Sequence, residues 1–190
     1  MTRRFGDRAT FAVEVGPEAG SADLRVVDLW VAGRHLTVRD NVAYVPFLRR
    51  VLRETAARVR RREVPPCPFP GHSPDAVFRL LESDRTEFRE QFWFLRWGEI
   101  VDNVSAYAYL DDELVLMVAF VPGADTAQHG TGSASAAPRP AAPPGGGNAA
   151  FCARIAAEDF AATVAGAAEL LEALGGPAVS RPTGRSGSAG

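Results

Sequence analysis

The sequence contains no lysine. All 21 of its basic residues are arginine, and with the abundance of alanine, glycine and proline this reads as the coding bias of a GC-rich genome, with no chemistry attached. Cysteine is nearly absent: Cys67 and Cys152 are the only two. Two thiols cannot build a disulfide framework or a cysteine-only zinc site, so free thiols in a reducing compartment are expected. Histidine is as sparse, with His35, His72 and His129. No Cys or His pair has CxxC or HExxH spacing, and the nearest approach, Cys67 and His72 in one loop, predicts neither a metal centre nor a nucleophile with its base. There is no phosphate-cradling GxxxxGK[ST] and no dinucleotide fingerprint, and Gly145-Gly146-Gly147 lies in low complexity instead of after a strand. No cofactor is expected. No apolar run reaches the roughly 18 residues that would span a bilayer. The N-terminal MTRRFGDRATF has arginines but no apolar h-region, so neither membrane insertion nor export is predicted and a cytoplasmic location is expected. A formal net charge of -2 gives no global attraction to nucleic acid or to an anionic membrane.

What is present is a core. At 190 residues and 46% hydrophobic content the chain can bury one core of ordinary size. The densest stretch is Phe92 to Val121. Val104, Ala106, Ala108 and Leu110 alternate with Ser105, Tyr107 and Tyr109, the period of a half-buried strand. Asp111-Asp112 interrupts, and after Glu113 the run LVLMVAFV is apolar on both faces, as in a strand covered on each side. Together they predict a β-hairpin whose loop can extend to Leu110 or Glu113. Upstream, FREQFWFLRW fits helical spacing in part, but its aromatic enrichment before Gly98 favours a strand. Trp93, Trp97, Tyr107 and Tyr109 would then share a sheet face, as a core layer or as a docking patch.

The rest of the chain supplies strands and helices around this hairpin. Thr10 to Val15 and Leu24 to Val31 alternate as strands, and a short third strand is expected over His35 to Val38 after Gly33-Arg34. Asp28 falls on the Leu24/Trp30 side of its strand, where a carboxylate has to be paired or at the sheet edge. Pro46 opens a helix with Phe47, Leu48, Val51, Leu52, Thr55 and Val59 at helical spacing. Its other face carries Arg49, Arg50, Arg53, Arg58, Arg60, Arg61 and Arg62 against Glu54. That is the pattern of a solvated face whose last arginines suit the helix dipole, and without interleaved base-stacking aromatics it does not predict nucleic-acid binding. The proline-rich loop from Pro65 to His72 precedes Ser73-Pro74-Asp75, an N-cap, N1 and acidic first turn for a second helix ending near Ser83-Asp84. Phe151 to Ile155 alternates as a strand, and Glu158 to Leu174 is a last helix stopped by Gly175-Gly176-Pro177.

The expected class is therefore α+β: a mostly antiparallel sheet packed against two or three helices in a single domain. Residues 1–9 are expected to be a flexible N-terminus, 10–176 the domain with a disordered Ala/Pro/Gly-rich insertion at 123–150, and 177–190 a disordered tail.

The element order, with TFAVEV, LRVVDLWVAG, VPFLRRVLRET, the late hairpin and FCARIAAEDFAATVAGAAELL, resembles small cytosolic immunity proteins of bacterial polymorphic toxin systems and similar uncharacterised actinobacterial proteins. The resemblance covers about residues 10 to 121 and 151 to 174; the 123–150 insertion departs from a compact immunity protein. It implies a non-enzymatic protein that neutralises a cognate toxin by binding it, with acidic or aromatic surface residues meeting the toxin domain. On that reading the partner-binding candidates are Trp97, Glu99, Asp102, Tyr109, Asp111, Asp112 and Glu113. The same carboxylates would suit general acid-base work or a divalent ion, but turn acidity explains them more simply. The alternative is a small-ligand-binding or enzymatic domain with a pocket between the sheet and the helix that begins near Pro46.

Overall fold

The computed structural model describes residues 1–121 and 150–175. Its first sheet is an antiparallel meander of β1 (Arg3–Asp7), β2 (Phe11–Glu18), β3 (Leu24–Val31) and β4 (Arg34–His35), with β5 (Val42–Tyr44) pairing the other end of β3. The second sheet is β6 (Val104–Asp111), β7 (Glu113–Phe120) and β8 (Phe151–Ile155), also antiparallel. Three α-helices among the described residues, α1 (Val45–Arg60), α2 (Pro74–Ser83) and α3 (Ala157–Leu174), complete the α+β architecture. The expected 123–150 insertion and 177–190 tail lie outside the described residues, apart from Ala150, which packs against apolar residues.

Alternation decides the layers. Phe11, Val13 and Val15 of β2 and Val27, Leu29 and Val31 of β3 face inward, as do Ala106, Ala108, Leu114, Leu116, Val118, Ala153 and Ile155 of the second sheet. Both inner faces share one apolar core with α1 and α3, which contribute Leu48, Leu52, Val59, Phe160, Val164 and Leu171. The other face of the second sheet is apolar too. Tyr107, Tyr109, Val115, Met117 and Ala119 form a second core under Val77, Phe78 and Leu81 of α2. A strand that is apolar on both faces thus ends up covered on both, as LVLMVAFV predicts.

Local chemistry sets the boundaries. The Ser73 hydroxyl accepts from the Ala76 amide at 3.3 Å, capping α2. The hairpin turns on Asp112 alone, at φ 54°, with Asp111 and Glu113 still paired. Asp28, on the outer face of the first sheet with Val26 and Trp30, is paired: its Oδ1 lies 3.0 Å from His35 Nε2 and accepts from Asn41 Nδ2 at 2.9 Å.

Three expectations need correction. Residues 3–7 are a strand instead of a flexible terminus, because Phe5 packs against Gly166 of α3 while Arg4 reaches Glu14 across the ladder. The predicted strand at His35 to Val38 shrinks to Arg34–His35, since Leu36 dives into the core and Thr37 turns toward Asp28 and the Leu29 amide. The aromatic segment is no strand: Glu87–Phe92 is a 3-10 helix, and Trp93 touches β6 through a single bridge to Tyr107. Residues 93–98 then run as a strap between α1 and β6. Alternation does not survive there because Phe94, Leu95 and Trp97 all turn inward.

Candidate functional site

The strap and β6 part company at one hydrogen bond, from the Phe94 amide to the Ala106 carbonyl, 3.0 Å. The next residue, Leu95, takes a left-handed conformation at φ 51°, and Gly98 lies at φ 85°. A buried leucine in that region is uncommon and costs backbone strain, a feature that clusters at functional sites. The strap is held in this path by Trp97, whose indole Nε1 donates to Thr55 Oγ1 on α1 at 3.1 Å, with Thr55 in turn donating to the Val51 carbonyl. Where the two chains diverge they leave an open groove of about 480 Å3. Its walls are Phe47 of α1, the strap, the 3-10 turn Glu99–Val101 and the first half of β6.

A second groove, about 390 Å3 and more apolar, lies on the other side of Phe47 and runs along Val42, Tyr44 and Ile100. Phe47 and Gly98 border both. The rim is exposed and apolar at Val42, Tyr44 and Phe47, with Tyr44 at 55% exposure. Its charges are few. Asp102 lines the first groove and Glu99 the second, and neither is in an ion pair among the described residues. Arg96, which also lines the first groove, lies over the Trp93 ring, 4.7 Å from its centroid, a cation–π contact.

The sequence-predicted partner residues are divided by this geometry. Glu99 and Asp102 border the grooves; Asp111, Asp112 and Glu113 sit at the far end of the hairpin, where β6 turns into β7. The two do not form one acidic surface. Trp97 and Tyr109 are each 2% exposed, Trp97 in the main core and Tyr109 in the second, so neither presents an anchor at the surface. The shared aromatic face is split in the same way, with Tyr107 and Tyr109 under α2 and Trp97 on the inner side. Phe47, Tyr44, Arg96 and Gly98 carry the grooves and were not among the candidates. Gly98 between Trp97 and Glu99, and the apolar Val42 and Tyr44 ahead of Pro46, were the available signals.

Two other clusters gather charged side chains. On the outer face of the first sheet, Glu14 is buried at 4% exposure beneath Arg4 and Arg8, accepting from Arg8 Nε and Nη2 at 2.7 and 2.6 Å and from Arg4 Nε at 2.6 Å. The Arg8 bonds hold its carboxyl below the usual range, against burial, and Arg4 adds to them. Beside it the Trp30 ring is 4.1 Å from the Arg8 guanidinium and stacks on the His35 ring at 4.7 Å. His35, Asp28 and Thr37 look like a catalytic trio, but Asp28 Oδ1 and Thr37 Oγ1 both lie 3.0 Å from the same nitrogen, Nε2. A relay needs the carboxylate and the nucleophile on opposite ring nitrogens, and Thr37 is buried besides. The arginine face of α1 is largely spent internally: Arg49 and Arg53 meet Glu172, Arg50 meets Glu54, Arg60 meets Glu158 and Arg61 meets Glu63. Arg58 donates to the carbonyls of Gln91 and Trp93 and ties the strap to the helix.

No group of three or more His, Cys, Asp or Glu side chains among the described residues is arranged to hold a metal ion, and no helix among them is long and apolar enough to cross a membrane. No family model, no curated protein and no solved structure matches the chain.

Proposed function

We propose that the protein is a non-enzymatic protein-binding module that receives a segment of a partner protein in the grooves on either side of Phe47. The observation that carries this is the coincidence at one place of exposed apolar Val42, Tyr44 and Phe47, of Glu99 and Asp102 outside any ion pair among the described residues, and of a strained strap. An apolar centre with a thin polar rim is the anatomy of a protein interface. The open, trough-like form of both grooves suits a chain segment better than an enclosed metabolite. The resemblance to polymorphic-toxin immunity proteins supplies the kind of partner, a toxin domain met in the cytoplasm and neutralised by direct binding.

The alternative, a small-ligand or enzymatic pocket beside the helix that begins near Pro46, draws on the same place, since about 480 Å3 lies within the range of small-molecule sites. A thermal-shift screen separates the two. Reproducible stabilisation by a metabolite or a metal ion favours the pocket, whereas stabilisation only by a captured protein partner favours the module.

A further inference from the structure

We infer that the partner engages the first groove by adding an extended segment to the open edge of β6, an inference that rests on the protein-binding reading above. The register of the hairpin fixes which backbone groups face outward. Asn103 pairs with Val121 through the Val121 amide at 2.9 Å, and the antiparallel ladder continues from Val104 opposite Phe120 to Asp111 opposite Glu113. In such a ladder hydrogen-bonded and non-hydrogen-bonded pairs alternate, so Ser105, Tyr107 and Tyr109 point their amides and carbonyls toward β7, and Val104, Ala106, Ala108 and Leu110 point theirs away.

The chain already uses that outer edge twice. Ala106 accepts from Phe94, and Leu110 donates to the Pro65 carbonyl at 2.8 Å, a parallel bridge between Pro66 and Leu110. Beyond Phe94 the strap turns away at Leu95, and the Val104 carbonyl and the Ala106 amide, on two residues that line the first groove, have no hydrogen bond among the described residues. One residue of a parallel extended chain satisfies both, donating its N–H to Val104 and accepting from Ala106 N–H with its own carbonyl. Alternate side chains of that segment then point to opposite walls. The lining offers the partly exposed Phe47 ring and the Asp102 carboxylate, and Arg96, which also lines the groove, repels a second cation. The occupant is therefore a short extended segment with an apolar and a basic residue, not a polybasic stretch.

The test uses the full chain and linear peptides from a phage-displayed library, retaining those whose binding is abolished by Phe47→Asp. Each backbone amide of a retained peptide is N-methylated in turn. One position is expected to lose about tenfold in affinity, the worth of one net hydrogen bond. Ala106→Pro, which removes the edge donor, is expected to lose about as much. In the free protein the Ala106 amide exchanges faster than those of Ser105 and Tyr107, and bound peptide slows it. Peptides that bind without any sensitive position and leave Ala106 exchange unchanged overturn strand addition and leave the binding-module reading standing. Failure to recover any Phe47-dependent peptide overturns both.

Discussion

Phe47 and Gly98 are in contact across the ridge between the two grooves: a Cβ built on Gly98 would lie 3.0 Å from Phe47 Cε1. A side chain at position 98 would crowd the ring, which lines both grooves. Gly98 is also at φ 85°, a conformation that L residues rarely adopt. Gly98→Ala is therefore expected to cost about 1–3 kcal/mol in denaturant unfolding and to shift the Phe47 ring resonances. A neutral effect on both would mean that the ridge is not fixed by this contact.

Asn103 is 3% exposed and donates through Nδ2 to the Leu36 carbonyl at 3.0 Å, joining the start of the second sheet to the end of the first. Asn103→Ala leaves that carbonyl without its donor. The expected loss is about 1–3 kcal/mol, the cost of a buried polar group left unpaired. Calorimetric or denaturant unfolding of the variant checks it.

Glu14 sets an acid limb. Its carboxyl is held low in the fold, chiefly by the Arg8 hydrogen bonds, against 4.5 for an ordinary glutamate. The unfolded chain then binds the more protons, so the stability Glu14 contributes is present above 4.5 and is lost as pH falls toward the depressed folded value. Glu14→Gln is expected to cost about 1–3 kcal/mol at neutral pH. The gap to the wild type should close on acidification below 4.5, and a constant gap would remove Glu14 as the titrating group.

Tyr107 and Tyr109 act at the other end of the pH scale. Burial pushes both phenols up to about 12, and for Tyr107 the bond to Glu82 Oε2 at 3.0 Å adds to it. With folded values raised above the ordinary 10.0, their contribution is fully present below that pH and is lost as pH rises through about 12. An ultraviolet absorbance titration should show two of the three tyrosines ionising only as the protein unfolds. Tyr107→Phe should lower stability by about 0.5–1.5 kcal/mol through the lost bond to α2.

The elements that could be read from the sequence are those whose chemistry is local. Ser73-Pro74-Asp75 carries its own helix start, the Val104 to Leu110 alternation carries its own strand, and Asp111-Asp112 marks the turn. The strap was not legible, because its path is set by distant partners: Thr55 for Trp97, Arg58 for the Gln91 and Trp93 carbonyls, and Ala106 for Phe94. β1 was missed because five residues with one apolar side chain look like a solvated terminus until Gly166 of α3 provides a seat for Phe5. The site was half legible. Acidity drew attention to both ends of the hairpin alike, and only the fold separates Glu99 and Asp102, which border the Phe47 grooves, from Asp111, Asp112 and Glu113 at the far end, where Asp111 meets Arg154.

The most direct measurement is parallel affinity capture from a lysate of the source organism with the tagged wild type, a Phe47→Asp, Asp102→Arg double variant and an Asp111→Ala, Asp112→Ala double variant, with mass spectrometry of the co-purified chains. One stoichiometric protein retained by the wild type and by the hairpin-turn variant, but lost by the groove variant in its folded state, is the expected result. A partner held equally by all three, or no partner under any growth condition, would contradict a binding module built on the Phe47 grooves.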